Sequence, residues 1–220
     1  MKPHLLILVV VALALVSFFG YLTLKPIFNT PTPKENLALT NLVETKKQEN
    51  PQITFINPYR GTKDAKLTIV EYGDYLCGFC ASVEETLNKL LIEYKDKIKI
   101  VWKDFPLINI HPLSDDLAEG ARCAHEDGKF WEYHSTMLKE QNDILSEADI
   151  FRVAKDLGLG QKFDNCYKNH DMRARVEADF EEGVSLGVTG APYFFIGKER
   201  LSGAVSYERF KNTIDAQINN

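Results

Sequence analysis

The sequence predicts an α/β chain in which a block of helices interrupts a strand-helix-strand scaffold. Three observations predict this. The run Leu67-Thr68-Ile69-Val70-Glu71-Tyr72, β-branched and aromatic, precedes an amphipathic stretch from Cys77 to Tyr94 and a second strand-like run from Lys97 to Lys103. That order gives parallel strands joined by a right-handed crossover. Residues from Pro112 to Leu186 then carry helical spacing, and Tyr193 to Ile196 returns to strand before a closing helix from Ser206 to Ile218.

Taken in order, Leu5 to Leu24 is a 20-residue stretch without a charge, and as a helix it rises about 30 Å, the thickness of a bilayer's hydrocarbon core. Lys2 precedes it, as in a secretory signal, but no clean small-residue cleavage pattern follows. An uncleaved anchor is therefore expected ahead of a cleaved signal, because the apolar run exceeds the usual signal core. Either one places the remaining chain outside the cytoplasm, although Lys25 and Lys34 weaken the charge contrast that orients such a segment. Pro26, Pro31, Pro33 and Pro51 mark the following stretch as a partly extended tether. Within it, residues 35–48 have a thin apolar stripe of Leu37, Leu42 and Val43, read as a solvated spacer in preference to a self-pairing helix.

Ile53 to Ile56 is expected as a short first strand and Leu67 to Tyr72 as the stronger one, bounded by Gly73 and Asp74. In the helix from Cys77 to Tyr94, Val83, Thr86, Leu87, Leu90, Leu91 and Tyr94 recur at three and four, a face that covers a sheet. Ile98, Ile100 and Trp102 alternate with Lys in the next strand. In the helical block, Ser114 with Asp115 and Asp116 is expected to cap one helix. Phe130, Tyr133, His134, Met137 and Leu138 pattern the next, and Ser146 with Asp149 resembles a capping box opening a helix that stops at Gly158. Phe163 to His170 and Met172 to Leu186 complete the block, and residues 197–200 are expected to turn.

The chemistry lies in Cys77-Gly78-Phe79-Cys80. At the first turn of a helix, unpaired backbone N–H groups and the macrodipole favour the thiolate of Cys77, the reactive form in disulfide exchange. Cys80, one turn on, shares the same helix face and can attack a mixed disulfide on Cys77. Zinc needs four ligands, usually in two close pairs, whereas this chain offers one C-x-x-C with Cys123 and Cys166 isolated. A structural bridge across so short a loop removes little chain entropy. His111, His125, His134 and His170 fall in no ligand spacing and read as surface or packing residues, so no metal is expected. With 45% apolar side chains the 220 residues suffice for one core of average size or slightly more. A formal charge of −5 without a basic stripe argues against nucleic acid as a partner. Four cysteines fit an oxidising compartment.

Three segments in this order carry a family resemblance: Glu71 through Cys80, Ala121-Arg122-Cys123-Ala124 with Gly128 through His134, and Gly187 through Gly197. From about Asn57 to Ile218 the chain resembles the DsbA-like thiol:disulfide oxidoreductases. The resemblance implies a thioredoxin fold with an inserted helical domain, here preceded by the N-terminal membrane-spanning helix or signal. Its parts would be 1–25 signal or anchor, 26–52 tether, 53–110 first part of the thioredoxin domain, 111–187 inserted helices and 188–220 second part. It implies that Cys77 is the exposed nucleophile, Cys80 its buried partner, and Gly78-Phe79 the dipeptide that tunes the redox poise, without the charge a His there would bring. Glu71 falls at the buried acid beneath the disulfide, able to take the proton of Cys80; an outward-facing strand residue is the alternative. Pro192 matches the family's cis-proline, with Ala191 offering its backbone to an extended substrate. Some relatives carry a second bridge, so Cys123 and Cys166 are expected to form a structural disulfide that constrains the unfolded chain by about 3 to 4 kcal/mol; two reduced core thiols are the alternative.

The expected activity is donation of disulfides to reduced or unfolded exported proteins, with reoxidation by a membrane partner of the DsbB type and no bound cofactor. The expected location is the periplasm or its equivalent, anchored to the cytoplasmic membrane by residues 5–24. A disulfide isomerase or reductase of the same fold, and a redox-inert chaperone or binding module, are the alternatives.

Overall fold

The computed structural model describes residues 48–219 together with Ser17, Phe18 and Tyr21, which are helical. The chain divides into two units, 1–47 and 48–220. Apart from those three residues, the expected 5–24 span lies outside the described residues, as does the tether up to residue 47 with most of the 35–48 stripe. Among the described residues no helix is long and apolar enough to cross a membrane.

The second unit runs β1 (Tyr59–Gly61), β2 (Leu67–Gly73), α1 (Gly78–Tyr94), β3 (Ile98–Asp104), α2 (Ser114–His125), α3 (Phe130–Glu140), α4 (Glu147–Asp156), α5 (Gln161–Lys168), α6 (Arg173–Ser185), β4 (Tyr193–Ile196), β5 (Glu199–Ser202) and α7 (Tyr207–Ile218). The five strands form one sheet in the order β1-β3-β2-β4-β5. β2 and β3 are parallel, as the intervening helix requires, and every other pairing is antiparallel. This is the mixed sheet of a thioredoxin fold, with α2 to α6 inserted between β3 and β4.

Alternation along β2 sorts the two faces. Leu67 and Ile69 join Ile98, Ile100, Phe194 and Ile196 under α1 and α7. Val70 and Tyr72 join Val101, Phe105, Leu186, Val188 and Phe195 on the other face. Glu71 shares the α1 side with Ile69, so the residue expected to be either buried or outward is 2% exposed. The helical insertion has its own core of Leu117, Ala121, Phe130, Tyr133, Ile150, Val153 and Phe163, and this core continues through Trp102 to Tyr75, Cys77 and Cys80.

Two devices hold the insertion in place. Cys123 of α2 and Cys166 of α5 are disulfide-bonded, 43 residues apart. A buried charge cluster fastens β3 to α2 and α6: Arg122 Nε donates to Asp104 at 2.6 Å, Arg122 also pairs with Asp179, and Lys103 Nζ bridges Asp179 at 2.8 Å and Glu182 at 2.6 Å. Trp102 Nε1 and the Tyr72 hydroxyl donate to Asp104 and Glu182 in the same cluster, so these buried carboxylates are matched by donors.

Three expectations are corrected. The first strand is Tyr59–Gly61, not Ile53–Ile56; there Asn57 Oδ1 accepts from Thr54 N at 2.8 Å and closes a turn that leaves Phe55 exposed. Ser114 is the first residue of α2 rather than its cap, and its buried hydroxyl has no hydrogen-bond partner. The turn after β4 is shorter than expected, because β5 begins at Glu199. The capping box at Ser146 and Asp149 is formed, and Ser206 caps α7 by accepting from Arg209 N.

Candidate active site

The site grows from the end of β2. Gly73 packs against the indole of Trp102 so closely that a Cβ would lie 2.2 Å from the ring. Asp74 then turns the chain: its Oδ1 accepts Leu76 N at 2.7 Å and its carbonyl accepts Cys77 N at 3.2 Å. Cys77 is the residue before the helix, with its carbonyl accepting from Cys80 N and Ala81 N, so helix α1 begins at Gly78. Cys77 therefore stands at the positive end of a 17-residue helix.

Both cysteines are free thiols here. Cys77 is 6% exposed, which corrects the expectation of an exposed nucleophile, and Cys80 is fully buried as expected, while Phe79 between them is 68% exposed. The Cys77 thiol is lowered from 9.0 to about 6, chiefly by the hydrogen bond from Cys80, with help from the N–H groups of Cys80 and Phe79 and against burial and the charge of Asp74. Burial, the same hydrogen bond and the charge of Glu71 push Cys80 well up. The pair is thus split into one thiolate and one thiol near neutral pH, the asymmetry that disulfide exchange needs.

Across the site, the Ala191–Pro192 peptide bond is cis, and the Ala191 carbonyl lies 3.3 Å from Cys77 Sγ. Glu71 is pushed from 4.5 up to about 8, first by burial and then by the charge of Glu84, with Arg60 opposing. At pH 7 it is about nine-tenths protonated. It can therefore give a proton to Cys80 as that sulfur leaves a disulfide, as well as accept one in the reverse step.

Several residues around the site went unassigned in the sequence. Glu84, one turn beyond Cys80, is gripped by Arg60 through two hydrogen bonds of 2.5 and 2.7 Å and is held below the usual carboxylate range by His134 and Arg60 despite burial. The spacing of Glu84 from Cys80 was a usable signal, whereas Arg60 on an edge strand gave none. His134 is fully buried among Tyr75, Trp102, Phe130 and Trp131, with Nδ1 3.2 Å from the Tyr75 hydroxyl and Nε2 3.8 Å from Glu84. It packs, as expected, and also faces a charge of the site. Asp74 is 1% exposed, and its Oδ2 accepts Leu107 N at 2.7 Å and lies 3.1 Å from His111 Nδ1. Cys123 and Cys166 belong to the insertion rather than to this site. Among the described residues no group of His, Cys, Asp and Glu is arranged to hold a metal ion. The two thiols carry both electrons of an exchange, so the chemistry calls for no bound cofactor.

The family model described as thioredoxin matches residues 56–216. Among curated proteins, the Na(+)/H(+) antiporter NhaA 3 of Salinispora tropica is 34% identical over 150 residues, 68% of this chain and 23% of the antiporter. The chain thus spans about a quarter of the length of the curated relatives it matches. Among solved structures, the thiol-disulfide exchange protein alpha-DsbA2 from Wolbachia pipientis is similar with a TM-score of 0.68 at 21% identity, over 85% of this chain and 99% of that one. Oxidised BdbD from Bacillus subtilis gives 0.66 at 19% identity, over 75% and 94%. The chain belongs to the thioredoxin family, as a member with the DsbA-like fold and its C-x-x-C pair at Cys77 and Cys80.

Proposed function

We propose that the chain is an extracytoplasmic disulfide oxidase acting on reduced or unfolded exported proteins. The observation that carries this is the split between Cys77, lowered to about 6, and Cys80, pushed up. A stable Cys77 thiolate favours the reduced enzyme, and an enzyme that prefers to be reduced gives its disulfide away.

A substrate thiolate attacks Cys77 Sγ of the Cys77–Cys80 disulfide, forming a mixed disulfide while Cys80 leaves and takes a proton, for which Glu71 is the nearby acid. A second substrate thiolate then attacks the substrate sulfur of the mixed disulfide, and Cys77 leaves as the thiolate. Two electrons pass from substrate to enzyme, and a DsbB-type membrane partner removes them again. The Ala191 carbonyl beside Cys77 suits an extended substrate backbone, and exposed Phe79 and Gly78 leave room for substrates of varied sequence. The uncharged span of residues 5–24 supports placement at the outer face of the cytoplasmic membrane.

The test mixes the oxidised chain with a reduced, unfolded protein and counts substrate thiols lost. One substrate disulfide per enzyme disulfide consumed is expected, with Cys77→Ser inactive. No transfer, together with repair of mispaired disulfides by the reduced chain, overturns the oxidase reading in favour of an isomerase. No transfer and no repair, with a biological activity that Cys77→Ser leaves intact, would make the chain a redox-inert binding module.

A further inference from the structure

Asp74 lies at the crossing point of the site. Its backbone N–H approaches Cys80 Sγ at 3.5 Å and its carbonyl accepts from Cys77 N, so its side chain sits against both sulfurs' turn. That side chain is fully buried, and its charge opposes the thiolate of Cys77. Its remaining partners come from the loop after β3. There the Leu107 carbonyl accepts from Ile110 N and His111 N, both at 2.9 Å, which folds the loop back and returns the imidazole to Asp74 Oδ2 at 3.1 Å. Among the described residues His111 is the one cation-forming side chain in ion-pair reach of Asp74. The acids that open α2, Asp115 and Asp116, are taken up by Arg173. From α1 the titratable groups on this turn are Cys77 and Cys80 themselves, with Glu71 of β2 behind Cys80.

The His111 side chain is 23% exposed, whereas that of Asp74 is wholly covered. The imidazole can therefore exchange a proton with solvent while the carboxylate cannot meet water. With the hydrogen on Nδ1, the nitrogen that faces the carboxylate, protonation at Nε2 changes the charge beside Asp74 and leaves the hydrogen bond in place.

We infer that His111 is a positioning residue for the thiol chemistry: when protonated it offsets, through Asp74, the buried negative charge that disfavours the Cys77 thiolate. His111 touches neither sulfur, and the effect passes through Asp74 alone. The inference rests on Cys77 being the reactive thiol. Linkage makes the effect reciprocal, so a thiolate on Cys77 must in turn hold the proton on His111.

The test uses the full chain with the active pair reduced, in four forms: wild type, His111→Gln, Asp74→Asn and the double variant. Gln retains a donor but no charge. Thiolate is followed by its ultraviolet absorbance across pH, and the first residue to be alkylated is identified by mass. The expected result is that His111→Gln moves the Cys77 midpoint upward and leaves about threefold less thiolate on the acid side of it, an effect suited to a charge acting through one intervening group. In the Asp74→Asn background the same change should have no effect. The imidazole resonances of wild-type His111 should also titrate at higher pH in the reduced protein than in the oxidised one. A His111→Gln midpoint equal to wild type, or His111 resonances blind to the redox state, overturns the inference. A shift that survives in the Asp74→Asn background does so too. If Asp74→Asn fails to fold, the first and third measurements decide. Alkylation at Cys80 before Cys77 would instead overturn the reading of the site itself, and this inference with it.

Discussion

Replacing Glu71 by Gln should remove a pH dependence from the stability of the fold. Glu71 is 2% exposed, and its carboxyl is raised from 4.5 to about 8, mainly by burial. Because the folded value lies above the unfolded one, the folded chain keeps a proton that the unfolded chain releases. Its contribution is whole below about pH 4.5 and is lost as pH rises towards about 8. At pH 7 the loss amounts to about 3 kcal/mol, a large part of a domain's stability. Gln stays neutral, so the variant should gain on wild type by about 3 kcal/mol between pH 5 and pH 8. The assay is guanidinium unfolding at several pH values on the oxidised protein, so that both bridges stay closed and the transition is comparable throughout. A difference between the two proteins that is flat with pH would show that Glu71 is ionised in the fold, and the argument for it as the acid beside Cys80 would fall.

Gly73→Ala places a methyl within 2.2 Å of the fully buried Trp102 ring and should destabilise by about 1 to 3 kcal/mol in thermal unfolding, with the Cys77 environment disturbed because Trp102 packs on Tyr75. Replacing Cys123 and Cys166 together by Ala opens a 43-residue loop and should cost about 3 to 4 kcal/mol in denaturant unfolding while disulfide transfer by the folded fraction persists. The reduction potential of the Cys77–Cys80 pair should fall by about 59 mV per pH unit on the acid side of the Cys77 titration, where two protons accompany two electrons, and by about 30 mV per unit above it. The bend should lie near pH 6, where the lowered thiol titrates.

Most of the scaffold was legible because its elements carry strong periodic signals. The alternation of Leu67, Ile69 and Glu71 marks a strand and the three-four spacing of Val83, Leu87 and Leu90 a helix, but which way Glu71 faces was left open until the fold placed it on the α1 side at 2% exposure. The edge strands were hidden for the opposite reason. Tyr59–Gly61 is three residues long and Glu199–Ser202 turns only Leu201 inward, so their place is set by backbone pairing with β3 and β4, which side-chain pattern does not report. Ile53 to Ile56 has strand-like composition, yet the side chain of Asn57 diverts it into a turn. In the site, the two cysteines and Glu71 lie close in sequence and could be read together. Arg60, His111 and His134 come from three distant segments, and only the assembled fold brings them to Glu84 and Asp74.

The central claim is that Cys77–Cys80 prefers to be reduced, and the most direct test is its reduction potential by equilibration with glutathione at pH 7. Lowering Cys77 from 9.0 to about 6 stabilises the reduced form at that pH by roughly 1 to 2 kcal/mol, on the order of 30 mV towards the oxidising side, a contribution present above the folded value and lost as pH falls through it. A potential near about −120 mV, where DsbA lies, is the predicted result. A potential of about −200 mV or below would mean that the disulfide is too stable to be donated readily, and would contradict the oxidase assignment.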